Sequence, residues 1–190
     1  MGPIYLTVMN QGLNTSMLTD ASDHKRLIVL RHGKAAYPPV ADHERPLAQR
    51  GNREAPAAGK WLVEQGFYPD VIITSDAVRT RQTTTWVLNE LGDKAPTPYL
   101  DSRLYMAPVT RALSVINETE EQVRTLMLVG HMPWVQELGM RLVSSESNEE
   151  AVINMAERYP TLGMMVFDVP GEWASLDGRD AIMTHFVVPR

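Results

Sequence analysis

"LIVLRHGKAA", residues 27–36, carries four aliphatic residues straight into an arginine, a histidine and a glycine. An uninterrupted aliphatic run of this length reads as a strand buried on both faces, as in a parallel sheet covered by helices. Arg31 and His32 then stand at its carboxyl end. In open α/β sheets that is where ligands bind, in the crevice beyond the strand ends. The stretch therefore predicts both an architecture and a place to look for chemistry.

Outward from it the same pattern repeats. "DVIITS" (70–75) and "TLMLVG" (125–130) are further short aliphatic runs, and a shorter extended piece is expected at "TPYL" (97–100). Between them lie helical spacings. Residues 48–66 carry Ala, Trp61 and Leu62 at helix-like intervals, with Phe67 just beyond. Pro56 inside that window means the helix either starts near Asn52 or kinks, since an interior proline loses a hydrogen bond and clashes with the preceding turn. Residues 77–92 present Val78, Val87, Leu88 and Leu91 as one stripe, with Gly92 as the stop. A helix is expected from about Pro108 to Asn117, and another from Pro133, with Trp134, Val135, Leu138 and Leu142 on one face. "TLGMMVFDV" (161–169) and "DAIMTHFVV" (180–188) flank a turn-rich segment and read as an antiparallel pair. The expected fold class is α/β, a three-layer α/β/α sandwich with a mostly parallel central sheet and an antiparallel C-terminal edge. Residues 1–24, polar and without periodicity, read as a flexible N-terminal extension, and residues 25–190 as a single domain.

Composition removes several kinds of function. The chain has 190 residues, a formal net charge of -5 and no cysteine. Thiolate nucleophiles and cysteine-ligated metals are thus excluded. The acidic balance argues against a nucleic-acid partner, and any anion site must be built from a few placed arginines. No apolar run approaches the length of a membrane span, and the N-terminus lacks the basic and apolar regions of a secretory signal, so no membrane partner and a cytoplasmic location are expected. His24, His43 and His185 show no ligand spacing, and no metal site is expected. The eleven methionines are scattered and suit core filling. Trp173, in the last turn-rich segment, is expected to pack.

Three strand ends carry polar groups suited to one ligand: Arg31-His32-Gly33, Ser75 with Arg79 a helical turn on, and Gly130-His131. Gly33 and Gly130 suit a sharp turn or a close backbone approach. Two guanidinium forks and two imidazoles match a dianionic oxyanion, with phosphate the natural occupant. No glycine-rich loop follows the first strand, which speaks against a dinucleotide-binding domain.

"LRHGKA", "SDAVRTRQT" and "VGHMPWV", in this order and spacing, resemble the histidine phosphatase (phosphoglycerate mutase-like) superfamily. "ERPLAQRG" and "YPTLGMMVFDV" are most similar to its SixA-type phosphohistidine phosphatases, over residues 26–190. The resemblance implies a metal-independent phosphatase without cofactor, acting on a phosphorylated protein or a small phosphorylated metabolite. It implies that His32 is the nucleophile that becomes phosphorylated. Arg31 and Arg79 would hold phosphate oxygens, and a protonated His131 would contact the phosphoryl group. Arg81 falls on a variable position. Lys34 either adds positive field or faces solvent, and Met132 replaces a residue that is often polar. The chain departs from many branches in one respect: "DSRLYMAPVTR" (101–111) lacks the glutamate that serves them as general acid. Asp42 and Glu44 are substitutes by position only. The absence favours a substrate with an easy leaving group, phosphohistidine before an ordinary phosphomonoester. The alternatives are a small-molecule phosphomonoesterase or mutase-like enzyme, and a phosphate-binding module without turnover.

Overall fold

The computed structural model of the chain describes residues 24–190. The extension expected over residues 1–24 thus lies, apart from His24, outside the described residues. Each aliphatic run forms a strand: β1 (Lys25–Arg31), β2 (Val71–Thr74), β3 (Tyr99–Leu100), β4 (Thr125–Gly130), β5 (Met164–Val169) and β6 (Ile182–Val187). They make one sheet in the order β3-β2-β4-β1-β5-β6. β1 to β4 run parallel, β5 is antiparallel to β1, and β6 is antiparallel to β5. The expected parallel centre and antiparallel edge are both present.

The uninterrupted apolar runs are explained by what covers the sheet. The helices are α1 (Gln49–Glu54), α2 (Pro56–Gln65), α3 (Val78–Leu91), α4 (Val109–Asn117), α5 (Trp134–Leu142) and α6 (Glu149–Glu157). Ile28 and Leu30 of β1 join Ala58 and Leu62 of α2 and Val87 and Leu91 of α3 in one core layer. Leu27 and Val29 point the other way and join Leu113 and Ile116 of α4, Trp134 and Leu138 of α5 and Met155 of α6. Successive strand residues face opposite sides, so a strand covered on both sides has no position left for a polar residue.

Pro56 resolves the two alternatives for the first helix. The helix begins at Gln49, breaks at Ala55 and restarts with Pro56 in its first turn, where the missing N–H is not needed. Helix α6 is additional to the elements expected from sequence. Its start is set by Asn148, whose side chain accepts from the Ala151 amide at 2.9 Å, with Glu149 and Glu150 in the first turn. It buries only Ala151 and Met155, too sparse a stripe for periodicity to stand out. Trp173 is fully buried and donates from Nε1 to the Val123 carbonyl at 2.9 Å. It packs, as expected. Among the described residues, no helix is long and apolar enough to cross a membrane.

Candidate active site

The central strands fix the site before any side chain does. β1 and β4 pair in register, Arg31 opposite Gly130, and the His32 amide continues the ladder to the Gly130 carbonyl at 3.0 Å. The Ser75 amide does the same from β2, reaching the Val129 carbonyl at 3.0 Å. Three strand ends therefore finish level, as the sequence predicts, and His32, Ser75 and His131 are neighbours. The two imidazole rings lie 5.2 Å apart, tilted by 59°. His131 Nε2 and Ser75 Oγ share a hydrogen bond of 2.8 Å.

His32 is held in one tautomer by its own chain. Its Nδ1 lies 2.7 Å from the Gly33 carbonyl, which can only accept, so Nδ1 carries the proton and Nε2 keeps its lone pair. Burial lowers the pKa of His32 to about 4, against the Gly33 hydrogen bond and with help from Arg79, Arg31 and Arg45. Burial also lowers that of His131 to about 3, followed by the fields of His32 and Arg79. Both rings are neutral at pH 7. A protonated His131, implied by the resemblance, is not what its surroundings favour by themselves; a phosphoryl dianion beside it supplies the charge that would favour it.

Two glycines make this backbone possible. A Cβ on Gly130 would lie 1.8 Å from the indole of Trp134, which is fully buried and donates to the Leu104 carbonyl at 3.0 Å. A Cβ on Gly51 would lie 2.2 Å from the Lys34 carbonyl, so α1 can clasp the loop after His32 only with glycine there. The Gly33 amide donates to Thr83 Oγ1 at 3.0 Å, completing the clasp from α3.

Arg31 Nη1 donates to the Tyr159 carbonyl at 2.5 Å. Arg79, buried on α3, donates to the Asp42 carbonyl at 2.7 Å and to Asp42 Oδ2 at 3.0 Å. Arg31, His32, Lys34, Arg45, Arg79 and Thr161 line a cavity of about 180 Å³. His131 packs against His32 but is not among the residues that line this cavity. A small, strongly cationic cavity with a neutral imidazole in its wall is suited to an oxyanion and to attack on it.

Residues 27–105 match the model of the histidine phosphatase superfamily, branch 1. The protein Rv1276c of Mycobacterium tuberculosis is 40% identical over 163 residues, covering 85% of this chain and the whole of that protein. The chain belongs to the histidine phosphatase superfamily. Its similarity runs to the SixA-type branch. A SixA structure from Nakamurella multipartitia superposes with a TM-score of 0.76 at 28% identity, covering 87% of this chain and 96% of that one. The phosphohistidine phosphatase SixA of Escherichia coli is 26% identical over 127 residues, 64% of this chain and 76% of that protein.

Against that family background the loop residues acquire definite surroundings. Asp42 accepts from Arg79, from Arg45 Nη1 at 2.7 Å and from the Tyr105 hydroxyl at 2.8 Å. The hydrogen bonds from Tyr105 and Arg45 hold its carboxyl down at about 2. Glu44 pairs with His43 at 2.9 Å. Asp42 is not poised to give up a proton near neutrality. His43 has a second acidic partner: Asp76 lies 3.0 Å from its Nε2, brought there by the fold rather than by spacing. These two acids raise its pKa. Among the described residues no cluster of three or more His, Asp or Glu is placed to hold a metal.

Sequence reasoning missed Tyr105 and Arg45. Tyr105 comes from the segment that lacks the glutamate, and packs edge-on to His131 at 5.7 Å and to His43 at 4.8 Å. Arg45 stacks on Tyr37 at 3.8 Å and donates from Nε to the Ala36 carbonyl at 2.9 Å. Arg45 lies inside the quoted "ERPLAQRG", but nothing in its spacing points to the cavity. Arg81 is exposed, as its exclusion implies.

Proposed function

We propose that the chain is a phosphatase that hydrolyses phosphohistidine in a protein substrate through a covalent intermediate on His32. The observation that carries this is the tautomer of His32, with Nδ1 bound to the Gly33 carbonyl and Nε2 unprotonated in a cavity shared with Arg31 and Arg79. Nε2 attacks phosphorus in line, and the phosphorus–nitrogen bond to the substrate ring breaks. The pair returns to a ring that is protonated before cleavage and leaves as neutral imidazole. Water then attacks phospho-His32, releases phosphate and restores the neutral ring. Arg31, Arg79 and Arg45 supply the charge that the phosphoryl oxygens need, so catalysis is positioning and electrostatics and no metal is called for.

The substrate class follows from the proton. General acid help is worth roughly 100- to 10,000-fold for a poor leaving group, and Asp42, held at about 2, is in the wrong state to give it. A phosphoramidate does without it. The names carried by the SixA relatives support the same substrate.

The test is direct. Incubation with a labelled phosphohistidine peptide is expected to leave acid-labile label on wild type and none on His32→Ala, and kcat/KM for that peptide should exceed that for 3-phosphoglycerate. Higher kcat/KM on the sugar-acid ester would overturn the substrate class in favour of a small-molecule phosphomonoesterase; binding without label or turnover would leave a phosphate-binding module.

A further inference from the structure

A second cavity, of about 350 Å³, lies beside the catalytic one and shares Arg31, Lys34 and Thr161 with it. Its charge is one-sided. Arg50 of α1, Arg158 and Arg190 join Arg31 and Lys34 in its wall, against one acidic side chain, Glu54, which Arg50 Nε already engages at 2.8 Å. Arg158 has no side-chain ion pair or hydrogen bond among the described residues. Arg31, common to both cavities, keeps a buried Nε without a hydrogen-bond partner among them. In a chain of net charge -5 this is a local reversal of sign, placed against the proposed catalytic residues.

The two cavities are also mechanically joined. The segment between α6 and β5 presents Arg158 to the second cavity, offers the Tyr159 carbonyl to Arg31 Nη1 and places Thr161 in both walls. An anion held by Arg158 would thus sit on the same short stretch of backbone that orients the arginine at the nucleophile. Leu162 and Val188 give the cavity an apolar wall suited to an extended chain.

We propose that this cavity is a second anion subsite, in which Arg158, Arg50 and Lys34 receive a carboxylate side chain flanking the phosphohistidine of the substrate. The assignment rests on the phosphohistidine reading above and deepens it: the preferred substrate is an acidic peptide segment. One partly exposed cluster of cations gives a selectivity of about five- to tenfold, and because it is solvent-accessible the preference shrinks as salt rises.

The experiment compares two substrate pairs on wild type, Arg158→Ala and Arg158→Glu. The first pair is a phosphohistidine peptide with Asp or with Ala on either side; the second is succinyl phosphate and acetyl phosphate, which share an easy leaving group and differ by one carboxylate. Wild type should prefer the Asp-flanked peptide by about five- to tenfold in kcat/KM, Arg158→Ala should bring the ratio close to one, and Arg158→Glu should invert it. Equal rates on the two peptides, or a preference unmoved in both variants, overturn the subsite while the phosphohistidine reading stands. Turnover confined to the acyl phosphates, with a succinyl preference that Arg158→Ala removes, keeps the anion subsite but overturns the peptide as its source and the phosphohistidine reading with it. Turnover of neither pair overturns both.

Discussion

At the scale of single residues, the two imidazoles decide what this site can do at neutral pH. Both are buried beside cations, and both are driven neutral. Ring 15N–1H spectra at pH 6 should therefore show His32 as the neutral Nδ1–H form, and titration of that signal should lie near 4 rather than 6.5; a ring half-protonated at pH 6.5 would remove the basis for its role. Asp42 is a different kind of neighbour. Its carboxylate offsets part of the charge of Arg79 and Arg45 while holding their geometry. Asp42→Asn keeps an acceptor oxygen and removes the charge, so tungstate should inhibit this variant several-fold more tightly. Its kcat on a phosphohistidine peptide should stay within about tenfold of wild type, since loss of a general acid costs roughly 100-fold or more. A fall of that larger size would make Asp42 the missing proton donor.

At the scale of elements, the site depends on how closely α1 and α5 approach the strand ends. Gly51→Ala forces a methyl into the Lys34 carbonyl, and the obstacle is backbone, which cannot rotate away. We expect a loss of about 1–3 kcal/mol from overpacking, read as a lower urea midpoint. kcat/KM should fall too, because Lys34 lies two residues from His32, the proposed nucleophile. Gly59→Ala, whose Cβ would meet Glu90 Cβ at 2.7 Å and the Val87 carbonyl at 2.9 Å, should destabilise similarly with little effect on kcat/KM. The contrast between the two variants separates clasping of the loop from packing of α2 on α3. The strands were legible because burial on both faces forces continuous aliphatic runs, and His32, Arg79 and His131 because each stands at or just past such a run. Tyr105 and Arg45 were not legible, because they reach the cavity from irregular loops whose path is set by contacts far along the chain, Tyr105 meeting Asp42 across 63 residues. Asp42 could be picked out by position, but its ion pairs, and hence its protonation state, exist only in the fold.

At the scale of the whole molecule, the buried histidines couple stability to pH. In the unfolded chain each titrates near 6.5, in the fold near 4 and 3. The unfolded chain therefore binds more protons below pH 6.5. The stabilising contribution of each ring is complete above that pH and is lost as pH falls through the window toward 3, at up to about 1.4 kcal/mol per pH unit per ring. Asp42 acts in the same direction at lower pH, its contribution being lost as pH falls from about 4 toward 2. His43, raised by Glu44 and Asp76, acts oppositely, but that pair is solvent-accessible and screened. The urea midpoint should thus drop between pH 7 and pH 5, and the drop should be smaller in His131→Gln; an unchanged slope in that variant would show that its ring titrates normally. The register of β1 against β4 reaches further still. Neighbouring strands lie about 4.8 Å apart, and the two rings stand 5.2 Å apart because they continue paired strands. The gauge of the site is thus a rung of the sheet, at the centre of the domain rather than on a movable lid. With His32 and His131 continuing paired central strands, activity and tryptophan fluorescence should change together across a denaturant series, with one midpoint for both.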